Sequence, residues 1–278
     1  MAIGRLETDL GTPLLIRTSR GATPTSAGRY LLDASSRVLA DVDEIARELR
    51  RFGEGVVGSL TIAAVPVLMW HRLPPVLRRF ATDAPGVDVR LVDPPPWTAL
   101  DLLQQRRADL AVIVVSQPER FIERHRDTFS VIDWGDVPLV AVLPPDIDAP
   151  DPLPLDWFAG KRMVLPQRTA AVPSLPEAVD AALRTHGVVP ERITTAATIQ
   201  TCLPMIEAGM ASAILPDPAF RSLERFDVTV RRLDPEPDPL RALVVVRRDG
   251  GSDPALARLL SQFGAPEVAP EAAAVVRH

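Results

Sequence analysis

Arginine and hydroxyl side chains are concentrated in one short stretch near the start of the chain. The segment "RTSRGATPTSAGR", residues 17–29, holds three arginines, five serines or threonines and no acidic residue. Arginines and hydroxyls around a glycine turn are suited to contact the phosphate oxygens of nucleic acid. An ordinary solvated loop has the same composition, so charge alone leaves both interpretations open.

The sequence lacks the common patterns of catalytic and metal-binding residues. GxSxG, Walker and GxGxxG motifs are absent, and the four histidines are far apart, without the spacing of metal ligands. Each histidine is more typical of a surface or an interface: His71, His125, His186 and His278. The single cysteine, Cys202, lies in an apolar helical pattern that favours a buried structural thiol. The sequence therefore predicts no catalytic residue, no metal site and no cofactor.

Length and composition are those of a globular protein. The 278 residues predict one large or two medium domains, and 46% hydrophobic residues can fill a core. A net charge of −5 does not indicate a general polyanion binder. One cysteine excludes internal disulfides and fits a reducing compartment. Because no signal peptide or bilayer-spanning apolar run is visible, we expect a cytoplasmic protein without membrane contact.

A long amphipathic helix is predicted over residues 27–52, with Ser26 as its cap. Its apolar residues alternate at spacings of four and three, which is typical of a coiled-coil seam. The stripe could pack on its own domain, but its length and regularity favour dimerisation. The expected dimerisation residues are Leu31, Val38, Val42, Ile45 and Leu49.

Strands and helices alternate from about residue 58 onward, after the glycine-rich segment "RFGEGVVG". Apolar runs such as "SLTIAAV", "DLAVIVV" and "ASAILP" read as strands, and the segments between them have helical periodicity. This alternation predicts an α/β fold with helices on the faces of a sheet. The segment 266–278 has little capacity to form a core.

The order of these pieces resembles the LysR-type transcriptional regulators. Residues 2–39 match a recognition helix "IxxLExxLGxxLFxR", a wing "xxRGxxxTxAGxxLL" and the start of a linker helix. The family's usual Phe is replaced by Leu15 or Ile16. "RRADLAVIV" and "IEAGMASAILP" fall where the family has similar motifs, and the resemblance extends to about Gly264. The matching positions are Ile3, Leu6, Glu7, Leu10, Gly11, Leu14, Arg17, Arg20, Gly21, Thr25, Ala27, Gly28, Leu31 and Leu32.

The resemblance implies a partial winged helix-turn-helix, a linker helix and a two-lobed, periplasmic-binding-protein-like α/β effector domain. The domain boundaries implied are 1–26 for the winged part, 27–52 for the dimerisation helix, 58–132 with 237–265 for lobe one, 133–236 for lobe two, and 266–278 for the tail. Family members have roughly thirty further residues before this point, which carry the first helices of the DNA-binding motif. We therefore expect weak or absent specific DNA binding by this chain, and full binding once such an extension is restored.

Promoter DNA, a small-molecule effector and a second copy of the chain are the partners that the resemblance implies, in a homodimer or homotetramer. The residues expected to contact DNA are Arg5, Arg17, Thr18, Arg20, Thr23 and Thr25.

The effector is expected in the cleft between the lobes, where strands end and helices begin. The family often has Ser or Thr after its first strand, but this sequence has Val67 and Leu68. In one interpretation, their backbone N–H groups hold a carboxylate while Trp70 grips an apolar body. In the other, they are plain core residues and the cleft is poorly tuned or empty. The expected effector-binding residues are Val67, Leu68, Trp70, Ser116, Ser174, Thr198 and Gln200.

Two functions from different classes follow. The first is a LysR-type DNA-binding regulator that senses a small molecule, with a small organic acid as the expected class. The alternative is a cytoplasmic solute-binding receptor without DNA binding, which the wing argues against. A cytoplasmic α/β enzyme is a third possibility, but no catalytic constellation supports it.

Overall fold

The computed structural model describes residues 2–18, 21–168, 172–217, 222–223, 225–250 and 253–264. The candidate DNA contact Arg20 and the predicted tail, residues 266–278, lie outside the described residues. The chain divides into two compact units, Met1–Glu54 and Gly55–His278.

The first unit consists of a short helix, a hairpin and a long helix. Helix α1 (Ala2–Leu10) ends at Gly11, whose φ of 63° is a left-handed conformation that favours glycine. Strands β1 (Leu15–Thr18) and β2 (Gly21–Pro24) form the predicted antiparallel hairpin. Helix α2 (Ser26–Gly53) follows, with Thr25 rather than the expected Ser26 as its N-cap.

The second unit begins with a five-stranded sheet, which is lobe one. Its strand order is β4-β3-β5-β14-β6, with β3, β4 and β5 parallel and β14 antiparallel to both of its neighbours. The strands are β3 (Val57–Ala64), β4 (Gly86–Val92), β5 (Leu110–Val115), β6 (Phe129–Val137) and β14 (Leu240–Arg247). The helices of this lobe are α3 (Pro66–Trp70), α4 (Leu73–Asp83), α5 (Pro96–Gln104), α6 (Pro118–His125) and α9 (Pro254–Ser261).

Lobe two is built from shorter strands. β10 pairs with β9 in parallel, and β11 and β12 pair with β7 on its two sides in antiparallel fashion. A further parallel pair joins β8 to β13. The strands are β7 (Leu139–Leu143), β8 (Leu153–Pro154), β9 (Arg162–Pro166), β10 (Arg192–Ala196), β11 (Ala213–Pro216), β12 (Thr229–Arg231) and β13 (Leu233–Asp234). The helices are α7 (Leu175–Thr185), α8 (Ile199–Glu207) and a 3₁₀ helix at Leu155–Phe158.

The core of this unit is filled by aliphatic side chains, as the low aromatic content predicts. Every residue of β5 is buried, since helices cover both faces of a central strand. Phe80, Phe129 and Phe158 are among the largest fully buried side chains. This packing fixes the ends of the strands, and the strand ends in turn position the loops of the cleft.

The elements that the sequence analysis missed include α6 and β6. The charge run at α6 reads as a solvated face, although Phe121 is buried on it. Strand β6 lacks a period of two because only Phe129 and Val137, at its two ends, are buried. It remains in the lobe-one sheet as far as Val137, which pairs with Leu240. The expected boundary between the lobes, at residue 132, falls within β6.

Candidate effector cleft and nucleic-acid contact surface

A cavity lies between the two lobes, at the carboxyl ends of strands from both sheets. Lobe one lines it with the residues that follow β3 and β4 and with Val114 of β5, and lobe two with those that follow β9 and β10. The space measures about 620 Å³, including the part that opens to solvent. Its walls are Val65, Pro66, Val67, Asp93, Pro94, Pro95, Pro96, Trp97, Val114, Pro166, Gln167, Val172, Ser174, Leu175, Pro176, Glu177, Ala197, Thr198 and Ile199.

Hydrogen bonds cross the cleft from one lobe to the other. The Ser174 hydroxyl, at the start of α7, donates to the carbonyl oxygen of Val114 at 2.8 Å. The backbone N–H of Ser116 donates to the carbonyl oxygen of Pro173 at 3.0 Å. At the rim, Gln200 Nε2 lies 3.4 Å from Asp93 Oδ2, a long contact. The first two bonds tie the end of β5 to the beginning of α7, and the third links α8 to the residue after β4.

The carboxylate site expected at Val67 and Leu68 has one of its two N–H groups, that of Leu68, engaged within the chain. Both side chains are fully buried, and Val67 alone of the two lines the cavity. The Leu68 N–H already donates to the carbonyl oxygen of Val65 at 3.1 Å, and α3 has only five residues. The burial of both side chains is what the core interpretation expects, while Val67 still borders the cavity.

Trp70 lies away from the cavity lining. Its ring packs against Phe226 with a centroid separation of 5.5 Å, and the Arg225 guanidinium lies 4.3 Å above it. This is a contact between α3 and lobe two, with the geometry of a cation–π pair. The ring is therefore engaged in packing rather than aimed at a ligand.

The remaining expected polar residues lie near the cleft in different roles. Ser174 and Thr198 line the cavity as N-caps of α7 and α8. Gln200 is at the rim, opposite Asp93. Ser116 is outside the lining, and its buried Oγ has no hydrogen-bond partner among the described residues.

Sequence reasoning missed the wall that follows β4 and much of the wall that follows β10. Asp93, the three prolines after it and Trp97 form the first of these walls, and Ala197 and Ile199 belong to the second. The sequence contains a signal for the first wall, because ligands bind where parallel strands end and Asp93 directly follows β4.

An ion cluster fixes the strands at the crossover between the lobes. Arg241 of β14 donates to both carboxylate oxygens of Asp133 on β6, at 2.7 to 2.9 Å, and to Asp136 at 2.5 Å. The hydrogen bonds from Arg241 lower the pKa of the Asp133 carboxyl. The bidentate geometry holds β6 and β14 in register beside the connection to lobe two.

In the first unit, one acidic side chain joins α1 to the hairpin. Glu7 Oε1 accepts hydrogen bonds from the backbone N–H groups of Leu14 at 2.7 Å and Leu15 at 3.0 Å. These bonds lower the pKa of the Glu7 carboxyl, with a smaller contribution from Arg17. Glu7 therefore sets the angle at which the hairpin leaves the helix.

Thr25 has a structural role at the junction with α2. Its hydroxyl donates to the carbonyl oxygen of Pro13 at 2.8 Å and accepts from the N–H of Gly28 at 3.0 Å. The hydroxyl proton of Thr25 is therefore engaged within the unit and is not available to a DNA phosphate. Gly28 is required here because a Cβ would lie 2.1 Å from the carbonyl oxygen of Leu14.

Three of the expected DNA contacts are exposed on this unit. Arg5 is on α1, Arg17 on β1 and Thr23 on β2, and all three side chains face solvent. Thr18 is the last residue of β1. The arrangement brings arginine and hydroxyl groups to the surface of one hairpin and the adjoining helix.

The seam of α2 is also exposed. Val38, Val42, Ile45 and Leu49 each show more than half of their surface to solvent, whereas Leu31 is half-buried. Apolar residues that recur in this way along one face normally pack against another element.

The model of the LysR substrate-binding domain matches residues 53–266, which is most of the chain. The chain belongs to the LysR family. The regulator IlvR of Caulobacter vibrioides is 31% identical over 266 residues, spanning 95% of this chain and 87% of that protein. The activator IlvY of Salmonella typhimurium is 26% identical over 255 residues, spanning 89% of this chain and 78% of that protein.

Solved LysR-family structures share the fold. The crystal structure of CbnR, a LysR-family transcriptional regulator, aligns with a TM-score of 0.76 at 22% identity. The alignment covers 94% of this chain and 88% of that one. CbnR in complex with its target DNA aligns with a TM-score of 0.72 at 21% identity, covering 94% and 86%. These likenesses confirm the predicted two-lobed α/β fold.

The LysR family consists of transcriptional regulators rather than enzymes, as the sequence analysis predicted. Cys202 is fully buried on α8, and burial raises the pKa of its thiol to about 12, which suits a structural thiol. In the part of this LysR chain that the structure describes, no three His, Cys, Asp or Glu residues cluster as metal ligands. No described helix is both long and apolar enough to cross a membrane.

Proposed function

We propose that this LysR-family regulator works in the cytoplasm as a homodimer or homotetramer and contacts promoter DNA through its first unit. A small molecule that enters the cleft between the lobes changes this contact. The residues proposed for DNA are Arg5, Arg17, Thr18 and Thr23, and those proposed for self-association are the seam residues of α2.

The observation that carries the proposal is the cleft itself. Both lobes line one cavity, and hydrogen bonds from Ser174 and Ser116 join its two sides. A molecule bound there touches both lobes, so its affinity depends on their separation. A ligand shifts a conformational equilibrium only through such unequal affinity.

The lining supports a small molecule with an apolar body, because most of its residues are proline, valine or other apolar types. For an organic acid, the class that the resemblance implies, the described lining offers no arginine, lysine or histidine. The proposed contacts are therefore Val67, Ser174, Thr198 and the wall from Asp93 to Trp97, with Gln200 at the rim.

The DNA contacts are proposed from exposure and charge. The side chain of Arg17 is exposed on the hairpin, and the side chain of Arg5 is exposed on α1 in the same unit. Phosphate contacts of this kind provide affinity without sequence specificity, so they are detectable on any duplex.

The test is fluorescence anisotropy with a labelled random-sequence duplex over a range of salt concentrations. We expect an association constant whose logarithm falls linearly with the logarithm of the salt concentration. Arg17→Ala should weaken binding and reduce the slope by about 0.9. Arg107→Ala is the matched control, since it removes the same charge from an exposed site in the second unit.

A receptor without DNA contact would give a different outcome. It would show no salt-dependent binding, or binding that Arg17→Ala and Arg107→Ala reduce equally. Either result would remove the assignment of the hairpin as a nucleic-acid surface.

A further inference from the structure

We propose that the cleft selects an apolar molecule whose polar group donates hydrogen bonds, an aliphatic or aralkyl amine, and that Asp93 receives this group. The inference rests on the proposed role of the cleft as the effector site. It concerns the charge of the effector. Four features of the described lining together favour a positively charged ligand.

The first feature is the shortage of backbone donors at the helix ends that meet in the cleft. Helices α3 and α5 begin with Pro66 and Pro96, and α7 carries Pro176 in its first turn. Proline has no backbone N–H, so each of these helix N-termini lacks one of the donors that normally bind anions.

The second feature is that several donors at the starts of α7 and α8 are occupied by the chain itself. The Ser174 N–H donates to Glu177 Oε2 at 2.8 Å, and the Ser174 hydroxyl donates to Val114. The Thr198 N–H donates to the Thr201 hydroxyl at 2.9 Å, and the Thr201 N–H donates to Thr198 Oγ1 at 3.3 Å. A carboxylate would have to displace these bonds to reach the same donors.

The third feature is the sign of the charges in the lining. Among the described residues that form the walls, the charged side chains are Asp93 and Glu177, and both are acidic. Glu177 accepts the Ser174 N–H, as described above. An incoming carboxylate would meet no opposite charge and would be repelled by Asp93, whereas an ammonium group would be attracted to it.

The fourth feature is the capacity of Asp93 to accept a further hydrogen bond. Its carboxylate is exposed at the end of β4, and the hydrogen bond from Gln200 Nε2 is long, at 3.4 Å. An ionised carboxylate has acceptor capacity for several donors. A ligand ammonium can therefore bind Asp93 while its apolar body packs on the proline-rich walls and Trp97.

The experiment compares ligands that share one apolar body and differ in the polar group. The probes are cyclohexylmethylamine against cyclohexylacetate, and 2-phenylethylamine against 3-phenylpropanoate, titrated calorimetrically into the full chain near neutral pH. We expect the amine of at least one pair to bind about tenfold or more tightly than its carboxylate partner. Asp93→Asn should reduce the affinity for that amine by a similar factor.

Asp88→Asn is the matched control. It removes the same charge from β4, the strand that Asp93 follows, at an exposed position outside the cavity lining. Affinity for the amine should be unchanged in this variant. Equal losses in Asp93→Asn and Asp88→Asn would reveal a general effect of charge and overturn the assignment of Asp93.

The inference also fails if the carboxylates bind as tightly as the amines, or if neither amine shows binding that depends on Asp93. Ala197→Trp, which narrows the cleft, separates this failure from that of the proposed function. If the carboxylates bind and Ala197→Trp abolishes this binding, the preference for amines is refuted, but the cleft remains the effector site. Ligand binding that Ala197→Trp leaves intact would refute the cleft itself.

Discussion

The two units of the chain treat their apolar side chains in opposite ways. The first unit leaves Val38, Val42, Ile45 and Leu49 largely exposed along α2, whereas the second buries most of its large apolar residues in a core shared by both lobes. Burial of apolar area is the main stabilising contribution in folding. The second unit therefore has the means to be stable by itself, and the first is expected to gain stability by covering its seam.

A pair of aromatic residues gives the sharpest test of this difference. Phe80 on α4 is 1% exposed and Tyr30 on α2 is 74% exposed. Phe80→Ala should lower the free energy of unfolding of the second unit by about 3–5 kcal/mol, because it leaves a cavity. Tyr30→Ala should change stability by no more than about 0.5 kcal/mol. Urea denaturation measures both, and comparable losses would contradict the contrast.

The second prediction concerns the partner that packs against the apolar seam of α2. Val42→Glu combined with Leu49→Glu places two charges where we expect a partner helix to pack, and burying unpaired charge is costly. Sedimentation equilibrium should show the dimer association constant reduced by at least about 100-fold. The thermal midpoint of the second unit should not change.

Asp43→Asn is the control for this pair, because Asp43 is exposed on the same helix outside the seam. It should leave association unchanged. A double variant that sediments like the parent protein would show that the seam packs elsewhere.

The third prediction concerns the order within the first unit. Glu7→Ala removes the acceptor of two backbone N–H groups, those of Leu14 and Leu15. The turn before the hairpin should then open more often, and amide hydrogen exchange at these two residues should accelerate. The rate of amide exchange in β5 of the second unit should not change. The control variant Glu44→Ala, on α2, should leave the exchange rates of both regions unchanged.

The contrast also explains what the sequence could predict. The spacing of Leu31, Val38 and Val42 identified α2 because one face of a long helix follows a simple period. β5 was equally clear, since an unbroken apolar run marks a buried strand. β6 was missed because its partners, rather than its own pattern, make it a strand.

The cleft was predicted less well than the fold. Its general position follows from the rule that ligands bind where strands end, and Ser174 and Thr198 were found in this way. Trp70 was misplaced because its packing against Phe226 depends on a segment more than a hundred residues away. The importance of Asp93 and of the prolines depends on which helix ends meet, and only the tertiary structure provides that.

The last and smallest effect concerns His125, a histidine that packs between aromatic rings of the second unit. His125 lies between Phe121 and Phe129, with centroid separations of 4.7 and 5.7 Å, and its buried Nε2 has no hydrogen-bond partner among the described residues. Burial, and to a smaller extent Arg124, lowers the pKa of His125 below its ordinary value of 6.5. The folded protein therefore favours the neutral ring, while the unfolded chain takes up a proton below about pH 6.5.

Because the unfolded state then binds more protons, the free energy of unfolding should decrease as the pH falls from about 7 to about 5. His125→Phe keeps the ring contacts and removes the titrating group, so the decrease should become shallower. His71→Phe, at an exposed position, should leave the pH dependence as it is. Denaturation at several pH values measures these slopes, and identical slopes for His125→Phe and the parent protein would show that the interior of the second unit tolerates this charge. The contrast between an interior that excludes charge and a first unit that exposes its apolar residues would then be weaker than the packing indicates.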